Sequence, residues 1–208
     1  MTMSDTRPRS GRMPRQERRA QLLDAAREVF VSVGYHAASM DDIAERAGVS
    51  KPVLYQHFPS KLDLYLALLD ASCEELVEAV RSALASTTDN QQRVWATMDA
   101  YLGFVGDEKG AFRLVFESDL TNEPAVRERV DRVSRDCAEA ISQVIEEDTG
   151  LPREESMLLA AGLAGMGQVT ARWWVSSGGS IDREEAARFL ATLAWRGIRG
   201  FPRAGTEG

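Results

Sequence analysis

Apolar residues recur along this chain at intervals of three and four, and almost every segment carries that helical period rather than the strict alternation of a half-buried strand. From Arg15 onward, Leu22, Leu23, Ala26, Val29, Phe30 and Val33 form one stripe, and Gly34 closes the helix they predict. Ser39 followed by Asp42 has the form of a capping box and opens a short second helix over 40–47, with Met40, Ile43, Ala44 and Ala47 facing inward. Gly48 supplies the left-handed backbone of a tight turn, and Ser50 is placed to cap a third helix that runs to about Phe58. Pro52 falls in its first turn, where a missing N–H removes no helical bond. Pro59 stops that helix, and Ser60 with Asp63 opens a fourth reaching Ser86, roughly 40 Å long at 1.5 Å per residue.

Beyond the break at Thr87–Asn90 the pattern predicts helices over 90–106, 108–118, 123–148, 153–176 and 182–200. The boundaries are marked by Gly106, by Asn122 to Pro124, by Gly150 to Pro152 and by Ser177 to Ser180. No internal repeat or heptad run is present, so the expected fold class is all-α.

Composition narrows the picture. The 208 residues are 44% hydrophobic, enough for a packed core. No run of 18 apolar residues exists to cross a membrane. The N-terminus is basic but lacks the apolar stretch of a signal peptide, so the protein is expected in the cytoplasm. Cys73 and Cys137 stand far apart without metal-ligand spacing and read as reduced thiols. The net charge of −7 is unevenly spread. Residues 1–61 hold ten Lys/Arg against seven Asp/Glu, whereas residues 62–208 hold fifteen against twenty-five. A basic arm serves as a solubilising tail or as a segment that follows phosphates; beside a nucleic-acid motif the second reading is preferred.

Two helices of about eight residues joined by a glycine turn make a helix-turn-helix. In the second of them Leu54 and Phe58 face one way with Val49, while Pro52 and Gln56 point opposite, flanked by Lys51 and Tyr55. Such an outer face suits the major groove of DNA. Residues 39–65, SMDDIAERAGVSKPVLYQHFPSKLDLY, closely resemble the DNA-binding signature of the TetR family of bacterial regulators. Ile43-Ala44, Ala47-Gly48-Val49-Ser50, Leu54-Tyr55, His57-Phe58 and Ser60-Lys61 all fall in register. Residues 13–66 and the later STTDNQQR and FRLVFESDLTNEPAV are also similar to lipid-sensing actinobacterial members, especially the mycobacterial activators of fatty acid synthase genes.

The resemblance implies a nine-helix plan: a flexible basic arm over 1–14, a DNA-binding head over 15–60, and a ligand-binding, dimerising body over 61–208. Tyr55 and His57 are then expected on phosphates, with Lys61 adding a cation and Ser39 and Ser50 marking helix N-termini that favour phosphate. Lys51, Pro52 and Gln56 are the candidates for base edges, and His36 is left structural.

In the body, Trp95, Met98, Leu102 and Val105 share one stripe; Phe112, Val115 and Phe116 follow on the next helix, and Met166, Val169 and Trp173 on the eighth. By periodicity alone these residues are ordinary core. The resemblance turns them into the expected lining of an effector cavity, and their apolar character favours a long-chain fatty acid or acyl-CoA. Gly162 and Gly165 crowd the eighth helix with small side chains, and with Phe189, Leu193 and Trp195 they form the expected homodimer interface. A two-fold dimer matches a palindromic duplex operator. The expected function is a ligand-responsive transcriptional regulator that releases DNA when the effector binds. Alternatives are a TetR-like regulator of efflux or catabolic genes with another hydrophobic ligand, and a lipid-carrying protein with a vestigial DNA head. Two histidines, no Gly-rich phosphate loop and no nucleophile–base constellation argue against an enzyme, and no metal or cofactor is expected.

Overall fold

The computed structural model describes residues 13–107, 110–116, 120, 122–178 and 180–197, without the side chains of Phe112, Arg113 and Phe116. The expected arm over 1–14 therefore lies outside the described residues except for Met13 and Pro14. The described residues form α1 (Arg15–Ala37), α2 (Met40–Arg46), α3 (Lys51–His57), α4 (Lys61–Ala85), α5 (Asn90–Val105), α6 (Ala111–Phe116), α7 (Pro124–Thr149), α8 (Arg153–Ser176) and α9 (Arg183–Arg196). The fold is all-α, as the period predicts.

Local chemistry explains most boundaries. The Ser39–Asp42 capping box forms in full, and the Ser60 hydroxyl accepts the Asp63 N–H. Gly34 leaves helical geometry within α1, as its expected terminating role requires, although a last turn continues to Ala37. Ser50 occupies the cap position of α3 without a side-chain cap bond. Pro52 removes one of the two N–H groups a cap would serve, and the other, on Val53, bonds the Ser50 carbonyl at 2.9 Å. The sixth helix starts at Ala111, after Gly110, later than the expected 108, and its expected end at 118 lies outside the described residues.

α1 packs on α2 and α4, and α2 on α3, which makes the head. α4 runs out of the head to pack against α5 and α7; α7 then carries α8, and α9 covers α5. One core cluster runs from Leu22, Phe30, Ile43, Leu54 and Phe58 in the head along α4 through Leu68, Leu76 and Val80 to α7. A smaller cluster joins Leu102 and Val105 of α5 to Ala171 of α8 and to Ala186 and Ala187 of α9. Val33, expected in the α1 stripe, is exposed instead.

Head and body meet at several bonded points. Phe30, Tyr35 and Tyr65 pack ring against ring at 5.2 to 5.8 Å, and the Tyr65 hydroxyl donates to the Leu114 carbonyl of α6. Arg27 of α1 forms a two-pronged pair with Glu75 of α4 at 2.8 and 3.1 Å. Gly110, at φ 69°, brings the start of α6 so close to Val31 that an added Cβ would stand 2.8 Å from its methyl carbon. Gly110→Ala combines an unfavourable backbone with a clash against a stiff β-branched side chain, so it should cost about 1–3 kcal/mol of stability. Denaturant unfolding at fixed protein concentration checks this; an unchanged midpoint would show that α6 is not docked on α1.

Candidate nucleic-acid interface and effector cavity

The outer face of α3 is set by what its inner face must bury. Leu54 and Phe58 are buried against Ile43, Ala44 and α1, and Gln21 of α1 donates to the Ala47 carbonyl at 2.9 Å, tying the turn to the head. Gly48, at φ 64°, makes the turn that aims α3. Lys51, Pro52, Tyr55 and Gln56 consequently stand exposed together, Tyr55 at 41%. Ser50 beside them is exposed and its hydroxyl makes no cap bond, whereas the Ser39 hydroxyl is engaged with Asp42. The Lys51 ammonium rests on Asp41 at 2.8 Å, an exposed pair that a DNA acceptor would have to displace.

Two further residues of the motif have close partners of their own. Lys61 turns its ammonium toward the end of α1, donating to the carbonyls of Tyr35 and Ala38, each at 2.8 Å, and lying 4.5 Å above the Tyr35 ring. A cation satisfied by helix C-terminal carbonyls and an aromatic face is a brace between α1 and α4 before it is a phosphate ligand. His57, at the end of α3, is held below the ordinary histidine value of 6.5 by desolvation first, then by the guanidinium groups of Arg15, Arg19 and Arg18. Those three arginines stand in the run RQERR at the start of α1, a basic cluster visible in the sequence apart from the helix-turn-helix signature. They place a positive field beside the recognition helix.

In the body, a cavity of about 250 Å³ lies between the end of α4, the start of α5, the last turns of α7, the middle of α8 and the end of α9. Met98, Ile141, Val144, Ile145 and Leu163 supply its apolar wall. Of the residues expected to line a cavity, Met98 does so. Leu102 and Val105 instead fill the α5–α8–α9 cluster, and Val115 fills the main core. Trp95 faces an outer groove with Gln91, Gln92 and Arg188. Val169 and Trp173 are 69% and 60% exposed, while Met166 is half-buried on the same side of α8. The side chains of Phe112 and Phe116 lie outside the described residues. Much of the cavity wall comes from α7, where Ile141, Val144, Ile145 and Asp148 repeat at helical spacing without an aromatic residue to mark them.

The residues expected at a dimer interface divide into two groups. A Cβ added at Gly162 or Gly165 would meet nothing within 4 Å, so both glycines lie on an open face of α8, beside Leu158 at 74% exposure and Val169. Phe189, exposed, and Leu193, half-buried, are one helical turn apart on α9 and share a side. Trp195 is two residues further on, turned through about 200°, and borders the cavity and the α5 groove instead.

If His57 approaches a phosphate, the complex favours its imidazolium and takes up a proton, so affinity must rise as pH falls. The gain begins at the value of the complexed ring and is complete below that of the free ring, which itself lies under 6.5. His57→Gln should flatten this dependence. Anisotropy titrations with a non-specific duplex at constant ionic strength measure it. Equal pH slopes in both proteins would place His57 away from the phosphates.

The family model described as bacterial regulatory proteins, tetR family, matches residues 22–68, and that described as the tetracyclin repressor-like C-terminal domain matches residues 90–197. The HTH-type transcriptional activator FasR of Mycolicibacterium smegmatis is 46% identical over 194 residues, covering 93% of this chain and 89% of that protein. A TetR-like transcriptional regulator from Rhodococcus sp. RHA1 shares 34% identity and a TM-score of 0.68, covering 91% of this chain and 100% of its own. The regulator FadR of Bacillus subtilis, solved in complex with stearoyl-CoA, has the same fold, with a TM-score of 0.72 at 20% identity over 86% of this chain and 98% of its own. With a helix-turn-helix whose recognition face is open and a matching helical body behind it, this chain belongs to the tetR family of DNA-binding bacterial transcriptional regulators.

Proposed function

We propose that the protein is a cytoplasmic homodimer that binds a palindromic duplex operator through α3 and releases it when a long acyl chain, as a fatty acid or acyl-CoA, fills the body. In this reading the head spans 15–60 and the body 61–208. Lys51, Pro52 and Gln56 face base edges, with Tyr55, His57 and the helix starts at Ser39 and Ser50 near phosphates. The open apolar face around Gly162, Gly165, Val169 and Trp173, continued by Phe189 and Leu193 on α9, meets its equivalent in a second copy.

The observation that carries the acyl reading is the cavity, apolar in its depth and placed at the far end of α4. Leu84 lines it, 23 residues and about 35 Å along the helix from Lys61 at the head. Two relatives lend support in what they are: FasR is a transcriptional activator at 46% identity, and FadR carries stearoyl-CoA on the same fold. Size then supplies the mechanism. Benzene's six carbons occupy an engineered cavity of ~150 Å³, so by proportion ~250 Å³ takes about ten carbons. A longer chain enters only if α5, α7 and α8 move apart, and α4 packs on two of them. Inverting a 1:99 population needs about 5.5 kcal/mol of differential binding. Roughly seven methylenes buried in one state alone supply that at ~0.8 kcal/mol each.

Operator occupancy titrated with acyl-CoA of increasing length tests this. Chains up to about ten carbons should bind with little release of DNA, and release should then climb with each added carbon until the widened cavity is filled. Release that does not change with length would remove the acyl effector and leave the DNA-binding regulator standing. It would favour a hydrophobic ligand of another class.

A further inference from the structure

The effector cavity grades from apolar to charged. Its depth is Met98, Ile141 and Leu163, and its more exposed margin is Asn90, Arg93, Asp148 and Thr149. Arg93 is the cation there. Its Nε donates to the Thr87 carbonyl at 2.8 Å, and its Nη1 donates to Asn90 Oδ1 at 2.9 Å and to Asp148 Oδ2 at 2.8 Å. These bonds pin the guanidinium, and its side chain is only 17% exposed against 32% for Asp148. One turn deeper on α5, Thr97 also lines the cavity, 7% exposed, and its buried hydroxyl has no hydrogen-bond partner among the described residues.

An unpartnered hydroxyl inside an apolar wall costs stability unless something else uses it. Here it lies between the hydrocarbon-lined depth and a fixed guanidinium. An acyl chain seated tail-inward brings its head to the Arg93 guanidinium at the margin, beside Asn90 and Thr149, and reaches the Thr97 hydroxyl only as the helices part to admit it.

Resting on the cavity being the effector site, we propose that Arg93 and Thr97 recognise the acidic end of an acyl amphiphile, and that Asp148 is the counter-charge its head group displaces. The effector therefore enters at the end of the body remote from DNA, tail first, and its negative charge is a requirement rather than an accompaniment. Asp148 acts as a competitor, so an uncharged hydrocarbon finds the ion pair closed and gains nothing by opening it. The shared chemistry is an anionic head on an apolar chain, and the charge resides either on the carboxylate or on the phosphates of coenzyme A.

Calorimetric titration of the full-length protein with decanoate, methyl decanoate and decanoyl-CoA separates these cases. Arg93→Gln should weaken decanoate about ten- to a hundredfold, the loss of one charge-assisted hydrogen bond, and leave the methyl ester within about twofold. Asp148→Asn should act oppositely and tighten decanoate, because the competing carboxylate is gone. Arg93→Lys should keep most of the preference for acid over ester. Because Arg93 also braces the α4–α5 turn, unchanged ester binding is the control that the cavity is intact. If decanoyl-CoA follows the ester in the Arg93→Gln protein, the recognised charge is the carboxylate; if it follows the acid, the charge is that of the coenzyme. Equal losses for acid and ester would reduce Arg93 to a structural brace and overturn the proposal. A wild-type protein that binds none of the three would overturn the effector cavity as well.

Discussion

The Lys61 ammonium sits where the backbone of α1 runs out of partners. The last carbonyls of a helix carry partial negative charge and no internal donors, and Lys61 fills two of them while lying over the Tyr35 ring. This one cation joins the first residue of α4 to the last turn of α1, so the direction in which α4 leaves the head is fixed at its root. The ring cluster of Phe30, Tyr35 and Tyr65 fills the space beside it, and the Arg27–Glu75 pair repeats the connection further along α4. A rigid helix clamped at one end moves its clamp when its other end is pushed. The other end of α4 borders the cavity.

Charge is divided along the same line. The basic excess gathers in the first 61 residues, and the arginines at the start of α1 act electrostatically on His57 at the end of α3. The acidic remainder repels a phosphate backbone and so orients the molecule with its head toward DNA. Within the body the arrangement of apolar residues is equally unequal. The stripes of α4 and α7 are closed into core up to the cavity at their ends, whereas the outer side of α8 keeps Leu158, Val169 and Trp173 open. An exposed apolar face of that kind is expected where a second copy docks, and the two glycines in it allow helices to approach closely.

What the sequence made legible was local. The capping box at Ser39, the side-chain cap at Ser60, the turn at Gly48, and the buried pair of Leu54 and Phe58 follow from neighbours a few residues apart, and each is formed. The open face of α3 then follows by elimination. The cavity was not legible in that way, because periodicity gives a helix its stripe but not the helix that will cover it. Leu102 and Val105 carry the same period as Met98, yet α9 closes over them and leaves Met98 at the void. Val169 and Trp173 look like interior residues and lie outside. Lys61 belongs to both kinds: its position in the motif was plain, but the carbonyls that hold it are 23 and 26 residues away in sequence.

Effector and operator communicate in the proposed mechanism because α4 carries a displacement from the cavity to the head through Lys61. Coupling between two sites is reciprocal, so the effector's affinity measured with and without operator DNA reports it directly. The wild-type protein should bind a long acyl-CoA far more weakly when DNA is present. In Lys61→Met that ratio should fall toward one, with effector affinity in the absence of DNA unchanged. A Lys61→Met protein that keeps the full ratio would contradict the account, because the signal would then reach the head by another route.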